Sequence, residues 1–276
     1  MSQGVIFWNS GTKLLVRLTV ALYTLRKHYS GPVCVILNDD VPDEYGVIID
    51  KYGVDTRDVS VERGHVHALL GKTCLAEWTP YDTSVFLDCD TVTLKPFPEL
   101  FQWAEDKGLV VAQFAEMNVK RNSIAKRVTQ WRTLECITQE QYELAREYPR
   151  GINIGVLAFR RDIGIWDEWR ALARTGAAKQ AFIPDEVSFQ VLLPTWEHHL
   201  APRSFNEACN RLPLTDDSRI LHYHGRKHCH QEKTKGLAQI WIDAAREMYR
   251  TNEFDFRTVL ERWPYRSEAK IIREGL

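Results

Sequence analysis

The stretch Val85-Phe86-Leu87-Asp88-Cys89-Asp90 joins a short apolar run to two acidic residues. The apolar part is typical of a buried strand. Because side chains alternate along a strand, Asp88 and Asp90 are predicted to point to one side and Cys89 to the other. Carboxylate oxygens suit hard divalent cations such as Mg²⁺ and Mn²⁺, which commonly bridge to phosphates. The stretch therefore predicts a metal site at a strand end, with a capped turn before Lys95 and Pro96 as the structural alternative.

The first forty residues have a β–α–β pattern. Residues 4–8 are predicted to form a strand, residues 13–28 an amphipathic helix and residues 32–37 a second strand. Such a unit forms a parallel sheet, and ligands bind beyond the carboxyl ends of its strands. This selects the loops 7–12 and 38–40 as the ligand-facing ones. The pattern continues over residues 47–50, 54–59 and 109–114.

A polar stretch over residues 119–150 is helical in pattern and carries no acid before Glu135. It is interpreted either as a solvated helix face or as a lid or patch for an anionic acceptor. Helices are also predicted over residues 237–249 and 254–262, and their aromatic side chains are assigned to packing. The basic residues of the polar stretch are Lys120, Arg121, Lys126, Arg127 and Arg132.

Length and composition exclude several classes of protein. The 276 residues are enough for one large domain. The 36 basic and 37 acidic residues leave almost no net charge, which gives no reason to expect a nucleic-acid partner. No signal-peptide pattern and no bilayer-spanning run is present, and six scattered cysteines favour reduced thiols. A Gly-x-Gly-x-x-Gly motif is absent, which argues against a dinucleotide-binding fold. We expect a cytoplasmic protein, with a peripheral position at a membrane as the alternative.

Four further motifs follow one order along the chain. Lys72 lies sixteen positions before Asp88, and the segment 151–159 contains an Asn-x-Gly-Val sequence. Segment 184–190 reads Pro-Asp-Glu-Val-Ser-Phe-Gln, and segment 220–225 reads Ile-Leu-His-Tyr-His-Gly. The ordered set resembles the glycogenin-like (family 8) retaining glycosyltransferases over roughly residues 4–230.

The resemblance implies a single-domain α/β protein with the GT-A fold, a Rossmann-like mixed, mainly parallel sheet flanked by helices. Its parts would be a nucleotide-sugar-binding half over about residues 1–118, an acceptor half with the closing metal motif over about 119–230, and C-terminal helices over about 231–276. The implied reaction is a metal-dependent, retaining transfer of a sugar from a nucleotide-sugar, most simply a UDP-sugar. Mn²⁺ or Mg²⁺ would be held by Asp88, Asp90 and His222.

The resemblance also assigns residues to the substrates. Asn153 would face the transferred sugar or the acceptor, Asp185 the sugar hydroxyls and Glu186 the anomeric carbon. The alternative for Asp185 and Glu186 is a helix cap and a first-turn acid after Pro184. The donor-binding set is Phe7, Asn9, Thr12, Asn38, Lys72, Asp88, Asp90, Gly225 and Lys227.

The sequence departs from the family pattern at several of these positions. Glu186 stands where Gln is usual, so both a carboxylate nucleophile and a front-face path stay open. Gln190 stands where Asn is usual. In the last motif the usual Lys is replaced by His228, and Arg226 or Lys227 is left to neutralise the diphosphate. The histidine-rich segment 222–230, with Cys229, also leaves a zinc site as an alternative.

Two rival functions follow from the same features. A sugar-nucleotide pyrophosphorylase-like enzyme shares the sheet topology, but its Gly-rich basic N-terminal loop is not found in residues 9–12. The second rival is a catalytically inactive homologue that only binds a nucleotide. The acceptor, whether a glycan, a protein or a lipid-linked molecule, is not specified by the sequence, and a homodimer stays open.

Overall fold

The computed structural model describes residues 1–38, 41–61, 64–113, 123–148, 151–208, 214–223 and 237–251. Its strands are β1 (Gln3–Ser10), β2 (Val33–Asn38), β3 (Asp55–Val59), β4 (Thr83–Leu87), β5 (Thr91–Thr93), β6 (Leu109–Gln113), β7 (Ile152–Arg160), β8 (His199–Ala201), β9 (Glu207–Ala208) and β10 (Ile220–His222). Its α-helices are α1 (Leu15–Arg26), α2 (Asp43–Lys51), α3 (His65–Gly71), α4 (Leu75–Trp78), α5 (Pro98–Lys107), α6 (Ser123–Thr133), α7 (Gln139–Glu147), α8 (Ile165–Ala178), α9 (Pro184–Leu192) and α10 (Leu237–Thr251).

A seven-stranded sheet with the order β3-β2-β1-β4-β7-β6-β8 forms the centre of the molecule. Strands β3, β2, β1 and β4 run parallel to one another, and β7 runs antiparallel to both β4 and β6. The predicted fold class, a mixed and mainly parallel sheet flanked by helices, is confirmed. A second sheet, β5-β10-β9, lies beyond the carboxyl end of β4.

Alternation along β1 divides the apolar core between the two faces of the large sheet. Val5 and Phe7 belong to a cluster with α1, α5 and α10, whereas Ile6 and Trp8 belong to a cluster with α8 and α9. Phe7 was predicted to contact the donor, but its side chain is fully buried in the first cluster. The side chain of Phe7 therefore supports the sheet instead of lining a site.

Helix α1 differs from the predicted amphipathic helix because it is buried nearly all round. It is covered by α2, α10 and β5 as well as by the sheet. Polar residues inside it find local or tertiary partners; the Thr24 hydroxyl, for example, donates to the Val20 carbonyl at 3.0 Å. The most unusual member is Arg17, whose side chain is 2% exposed.

Other sequence-based assignments differ in detail. Residues 47–50 lie inside helix α2 instead of continuing the strands, while the strand predicted over residues 54–59 is present as β3, which begins at Asp55. The polar stretch 119–150 contains α6 and α7, and α7 begins with a capping box between Thr138 and Gln141. Trp241 of α10 is buried, as its assignment to packing predicts. The predicted helix over residues 254–262 lies outside the described residues.

Within the described ranges, no helix combines the length and the apolar character needed to cross a bilayer. Cys34, Cys74, Cys89 and Cys136 are free thiols. Burial raises the pKa of the Cys34 thiol to about 11, which keeps this group protonated and unreactive near neutral pH.

Candidate functional site

Asp88 and Asp90 lie on a turn between β4 and β5, not on a continuous strand. The Asp88 N–H donates to the Gly155 carbonyl at 2.8 Å, and the Asp88 carbonyl accepts from the Thr91 N–H at 3.2 Å and from the Thr91 hydroxyl at 2.9 Å. The prediction that Asp88 and Asp90 point to one side and Cys89 to the other is confirmed, since Cys89 is buried with its Sγ 3.2 Å from the Trp8 carbonyl, but the cause is not strand alternation. The turn predicted as the structural alternative is present, and it is this turn that brings the two carboxylates together.

Pairing between β5 and β10 brings His222 to the two carboxylates. His222 lies opposite Thr91 in this antiparallel pair. Its Nε2 is 3.1 Å from Asp90 Oδ1 and 3.7 Å from Asp88 Oδ2. Burial alone would lower the pKa of His222, but the charges of Asp90 and Asp88 outweigh it, so the net shift is upward. The three predicted metal ligands thus meet in space.

The donor set fits a divalent metal. One ligand atom from each of Asp88, Asp90 and His222 lies within 4.8 Å of the others, and this is the metal-capable group found in the described part of the chain. Two carboxylates and one imidazole suit Mg²⁺ or Mn²⁺, which complete their shells with water or phosphate oxygens.

The zinc alternative gains no support from the described histidines. His198 Nε2 is hydrogen-bonded to the Tyr148 hydroxyl at 2.8 Å, and His199 stacks on Trp103 with ring centroids 4.3 Å apart. Neither residue belongs to the group around His222. The remaining candidate zinc ligands, His224, His228, Cys229 and His230, lie outside the described residues, as do Cys209, Gly225, Arg226 and Lys227.

Two cations balance the two carboxylates. Lys72 Nζ lies 2.7 Å from Asp88 Oδ1 and 2.8 Å from Asp88 Oδ2. Arg17 Nη1 lies 3.5 Å from Asp90 Oδ2. Burial opposes the charged form of Lys72, but Asp88, Asp185 and Asp90 together raise its pKa above the ordinary value. Lys72 is therefore a fixed positive charge beside the candidate metal ligands.

A second group of side chains lies where β7 and α9 meet. Asn153 Nδ2 donates to Glu186 Oε2 at 2.9 Å, and Arg127 of α6 contacts Glu186 Oε1. Asn153 Oδ1 accepts from the Gly155 N–H at 2.9 Å. Both oxygens of Glu186 are thus held by neighbours. Arg127, whose side chain is 22% exposed, points toward this group instead of lying on a solvated face.

Asp185 lies beside this group in the first turn of α9. The helix begins after Ile183, whose φ of 43° is left-handed, and no side chain caps it. Asp185 and Glu186 are therefore first-turn acids and not caps. Burial raises the pKa of Asp185 to about 7. Its Oδ1 is buried and has no hydrogen-bond partner among the described residues, so it is available to a ligand.

The predicted donor loops lie at the same edge of the sheet. Asn38 ends β2 and is buried, with its Oδ1 accepting from the Val61 N–H at 2.9 Å. Asn9 is 2% exposed, and its Nδ2 donates to the Gly11 carbonyl at 3.0 Å. Asn9 Oδ1 is buried without a hydrogen-bond partner in the ranges that the structure describes. Thr12 is exposed; residues 39–40 are outside those ranges.

Gly155 is required because the His222 ring packs against its backbone. A Cβ at this position would lie 2.1 Å from His222 Cε1 and 2.9 Å from Asn153 Oδ1.

Gly155→Ala should therefore displace the imidazole and lower the free energy of unfolding by about 1–3 kcal/mol. Calorimetric unfolding together with Mn²⁺ titration measures both effects. Gly46→Ala is the control, since a Cβ there meets nothing within 4 Å; equal stability and metal affinity in both variants would contradict the packing argument.

Three residues of this region were not predicted to act in the site: Arg17, Arg127 and Asn206. For Arg17 a signal existed, since an arginine within the apolar segment 14–22 implies a buried charge that needs a partner. Asn206 carried no comparable signal. Its Nδ2 donates to the Asn153 carbonyl at 3.0 Å and its Oδ1 lies 3.0 Å from His222 Nδ1.

Several solved structures have the same architecture. The galactosyltransferase LgtC, in complex with donor and acceptor sugar analogues, is 13% identical with a TM-score of 0.64, over 92% of this chain and 99% of LgtC. The glycosyltransferase GlyE of Streptococcus pneumoniae TIGR4 is 14% identical with a TM-score of 0.60, over 91% of this chain and 64% of GlyE. The bifunctional glycosyltransferase WbbM is 11% identical with a TM-score of 0.59, over 90% of this chain.

The chain spans about half of WbbM, since the match covers 51% of that protein. No protein-family model matches the sequence, and no curated protein matches it significantly. At these identities the likeness shows the fold alone. The chain therefore has the GT-A fold of these glycosyltransferase structures.

Proposed function

We propose that the protein is a metal-dependent glycosyltransferase that takes a sugar from a nucleotide-sugar donor, most simply a UDP-sugar. The observation that carries this proposal is the meeting of Asp88, Asp90 and His222 at the carboxyl edge of the sheet, with ligand atoms within 4.8 Å. Ligands of open α/β sheets bind at this edge. The likeness to glycosyltransferase structures agrees with it but does not carry it.

Asp88, Asp90 and His222 would hold Mn²⁺ or Mg²⁺. The bound cation would supply positive charge to the diphosphate that leaves when the bond to the anomeric carbon breaks. Lys72 adds a second, permanent charge next to Asp88, and Gly225 and Lys227 are proposed to contact the same diphosphate. Because Lys72 is held by the protein in advance, no reorganisation is needed when negative charge develops.

The nucleoside part of the donor is proposed to lie over the ends of β1 and β2. Asn9 supports this placement because its buried Oδ1 has no partner among the described residues. A buried acceptor without a hydrogen bond is costly, so a donor group from a ligand would stabilise it. Asn38 shapes the neighbouring loop by binding the Val61 backbone, and exposed Thr12 is accessible to the ribose or phosphate.

For the transfer itself we propose retention by a front-face path. Glu186 is poorly placed to be a free nucleophile, because Arg127 holds one of its oxygens and Asn153 the other. Asp185 offers an unpartnered buried oxygen that would accept from a sugar hydroxyl. The departing phosphate would then deprotonate the acceptor on the face it leaves. Asn153 would orient the sugar or the acceptor from β7.

The proposal is tested by incubating the protein with a panel of nucleotide-sugars and measuring release of free nucleoside diphosphate, with and without chelator. We expect metal-dependent release of nucleoside diphosphate from one donor even without an acceptor, because water can slowly take the place of the acceptor. Binding of a donor without any turnover, even with candidate glycan, protein and lipid-linked acceptors, would indicate the inactive nucleotide-binding homologue. Formation of a nucleotide-sugar from a sugar phosphate would indicate the pyrophosphorylase-like alternative.

Removal of the Lys72 charge should weaken binding of the nucleoside diphosphate. A hydrogen bond to a charged group contributes about 1.5–3 kcal/mol, so Lys72→Met should raise the dissociation constant of UDP by about ten- to a hundredfold. Calorimetric titration with UDP in the presence of Mn²⁺ measures this dissociation constant. Lys107→Met, which removes an exposed lysine paired with Glu197, is the control. Unchanged UDP affinity in Lys72→Met would show that this lysine does not serve the donor.

A further inference from the structure

Asn206 connects the two halves of the proposed site. It follows a short turn of 3₁₀-helix, Arg203–Phe205, and its side chain is fully buried. Its Nδ2 donates to the Asn153 carbonyl at 3.0 Å and lies 3.3 Å from Asn153 Oδ1. Its Oδ1 lies 3.0 Å from His222 Nδ1. One amide therefore contacts both a metal-ligand candidate and the residue assigned to the sugar.

The orientation of the Asn206 amide follows from its neighbours. The Asn153 carbonyl can only accept, so the Asn206 atom that faces it must be the NH₂ group. Asn153 Oδ1 is also an acceptor, because the Gly155 N–H already donates to it at 2.9 Å. The remaining Asn206 atom, Oδ1, is an acceptor and faces His222 Nδ1. His222 Nδ1 therefore carries a proton, which it donates to Asn206 Oδ1.

The other ring nitrogen, Nε2, faces the carboxylates, 3.1 Å from Asp90 Oδ1 and 3.7 Å from Asp88 Oδ2, and without a metal it is hydrogen-bonded to Asp90. A cation held by these three residues would take the lone pair of Nε2, and the ring proton would then stay on Nδ1, where Asn206 accepts it. We infer that Asn206 is a positioning residue that fixes the tautomer and the ring orientation of His222 for metal binding and ties the imidazole to Asn153. The inference rests on the proposed function for its meaning, but the hydrogen bond between Nδ1 and Asn206 exists without any ligand.

Two substitutions separate the two contacts of Asn206. Asn206→Leu removes both the acceptor for His222 and the donor for Asn153. Asn206→Asp keeps an oxygen for the Nδ1 proton, but it places a second oxygen against the two oxygens of Asn153. A carboxylate that accepts from the second ring nitrogen of a metal-bound histidine is a common arrangement. Asn206→Asp should therefore preserve metal binding and weaken only the contact with Asn153.

The proton on Nδ1 is measured directly by ¹⁵N NMR of histidine-labelled protein, first without metal and then with Mg²⁺. The chain has nine histidines, and His222→Gln identifies the signal by its loss. Nδ1 of wild-type His222 should carry a proton in both states, and Asn206→Leu, which offers no acceptor there, should favour protonation of Nε2 alone. A wild-type His222 protonated on Nε2 alone would overturn the inference, whether or not the protein is a transferase.

The effect on ligands is measured by Mn²⁺ electron paramagnetic resonance in the presence of UDP, and by titration with UDP and with UDP-sugars. Asn206→Leu should weaken Mn²⁺ binding by about ten- to a hundredfold. Asn206→Asp should bind Mn²⁺ and UDP within a few fold of the wild type but bind the matching UDP-sugar more weakly. Equal losses for all three ligands in Asn206→Asp would show a merely structural role and overturn the inference.

These outcomes are distinguishable from failure of the proposed function. If the wild type binds neither Mn²⁺ nor UDP, the proposed function fails, while the proton on Nδ1 still decides whether Asn206 positions His222. If Asn206→Leu does not fold, the proton on Nδ1 of the wild type and the comparison with Asn206→Asp decide the role of Asn206.

Discussion

Replacing Asp90 with asparagine should lower the rate of metal-dependent transfer by roughly a hundred- to a thousandfold. The change removes one anionic ligand from the group of Asp88, Asp90 and His222 while keeping the size of the side chain. It also removes the negative charge that lies 3.5 Å from Arg17, which is almost fully buried beside Asp90. Positive charge in the site then rises by one unit, which opposes cation binding directly.

The rate is measured as release of nucleoside diphosphate at saturating donor and increasing Mn²⁺. Asp162→Asn is the control, because Asp162 is an exposed acid paired with Arg160 at the other end of β7. Thermal unfolding checks that Asp90→Asn is folded. If folded Asp90→Asn kept the wild-type rate and metal dependence, or if the wild type worked fully in excess chelator, the metal site would be wrongly assigned.

A double-mutant cycle on Arg127 and Glu186 should give the second large effect. Glu186→Gln keeps an acceptor for Arg127, so the variant should stay largely active if the reaction follows the front-face path. Arg127→Met leaves the Glu186 carboxylate, 10% exposed, without its cation, and should lower the rate by about ten- to a hundredfold. The double variant should recover to the level of Glu186→Gln, because the unpaired charge is gone.

Rates of all four proteins, with the anomeric configuration of the product read by proton NMR, complete the cycle. Arg132→Met on the same helix is the control, since Arg132 contacts Gln139 and not Glu186. A folded Glu186→Gln that has almost stopped would identify Glu186 as a nucleophile and the reaction as a double displacement. An inverted product would contradict retention in either form.

Much of the scaffold could be predicted from local patterns. The strands β1 and β2 and the helix between them follow from apolar runs and periodicity, and these patterns also place Asn9 and Asn38 at the carboxyl edge. The metal triad was predicted only through the ordered motifs, and the shared side of Asp88 and Asp90 was predicted correctly but from the wrong structural element. A turn closed by Thr91 replaces the expected strand, and residue alternation carries no information about such a turn.

The supporting residues could not be predicted because their partners are distant in the chain. Glu186 left a carboxylate nucleophile open, and its contact with Arg127 could not be predicted from the sequence. The position of Phe7 in the chain suggests a donor loop, but strand alternation directs its side chain into the core. The sequence around Arg17 indicates a buried charge, but it does not identify Asp90 as the partner. Such contacts depend on which elements pack together, which periodicity does not specify.

Crystals grown with Mn²⁺ and UDP test the central claim most directly, through anomalous scattering recorded on both sides of the manganese absorption edge. We expect one strong peak bounded by carboxylate oxygens of Asp88 and Asp90 and by His222 Nε2, with the UDP diphosphate completing the ligands and Lys72 beside it. A manganese peak elsewhere, coordination through His222 Nδ1, or UDP bound at this edge with no manganese between the three residues would contradict it.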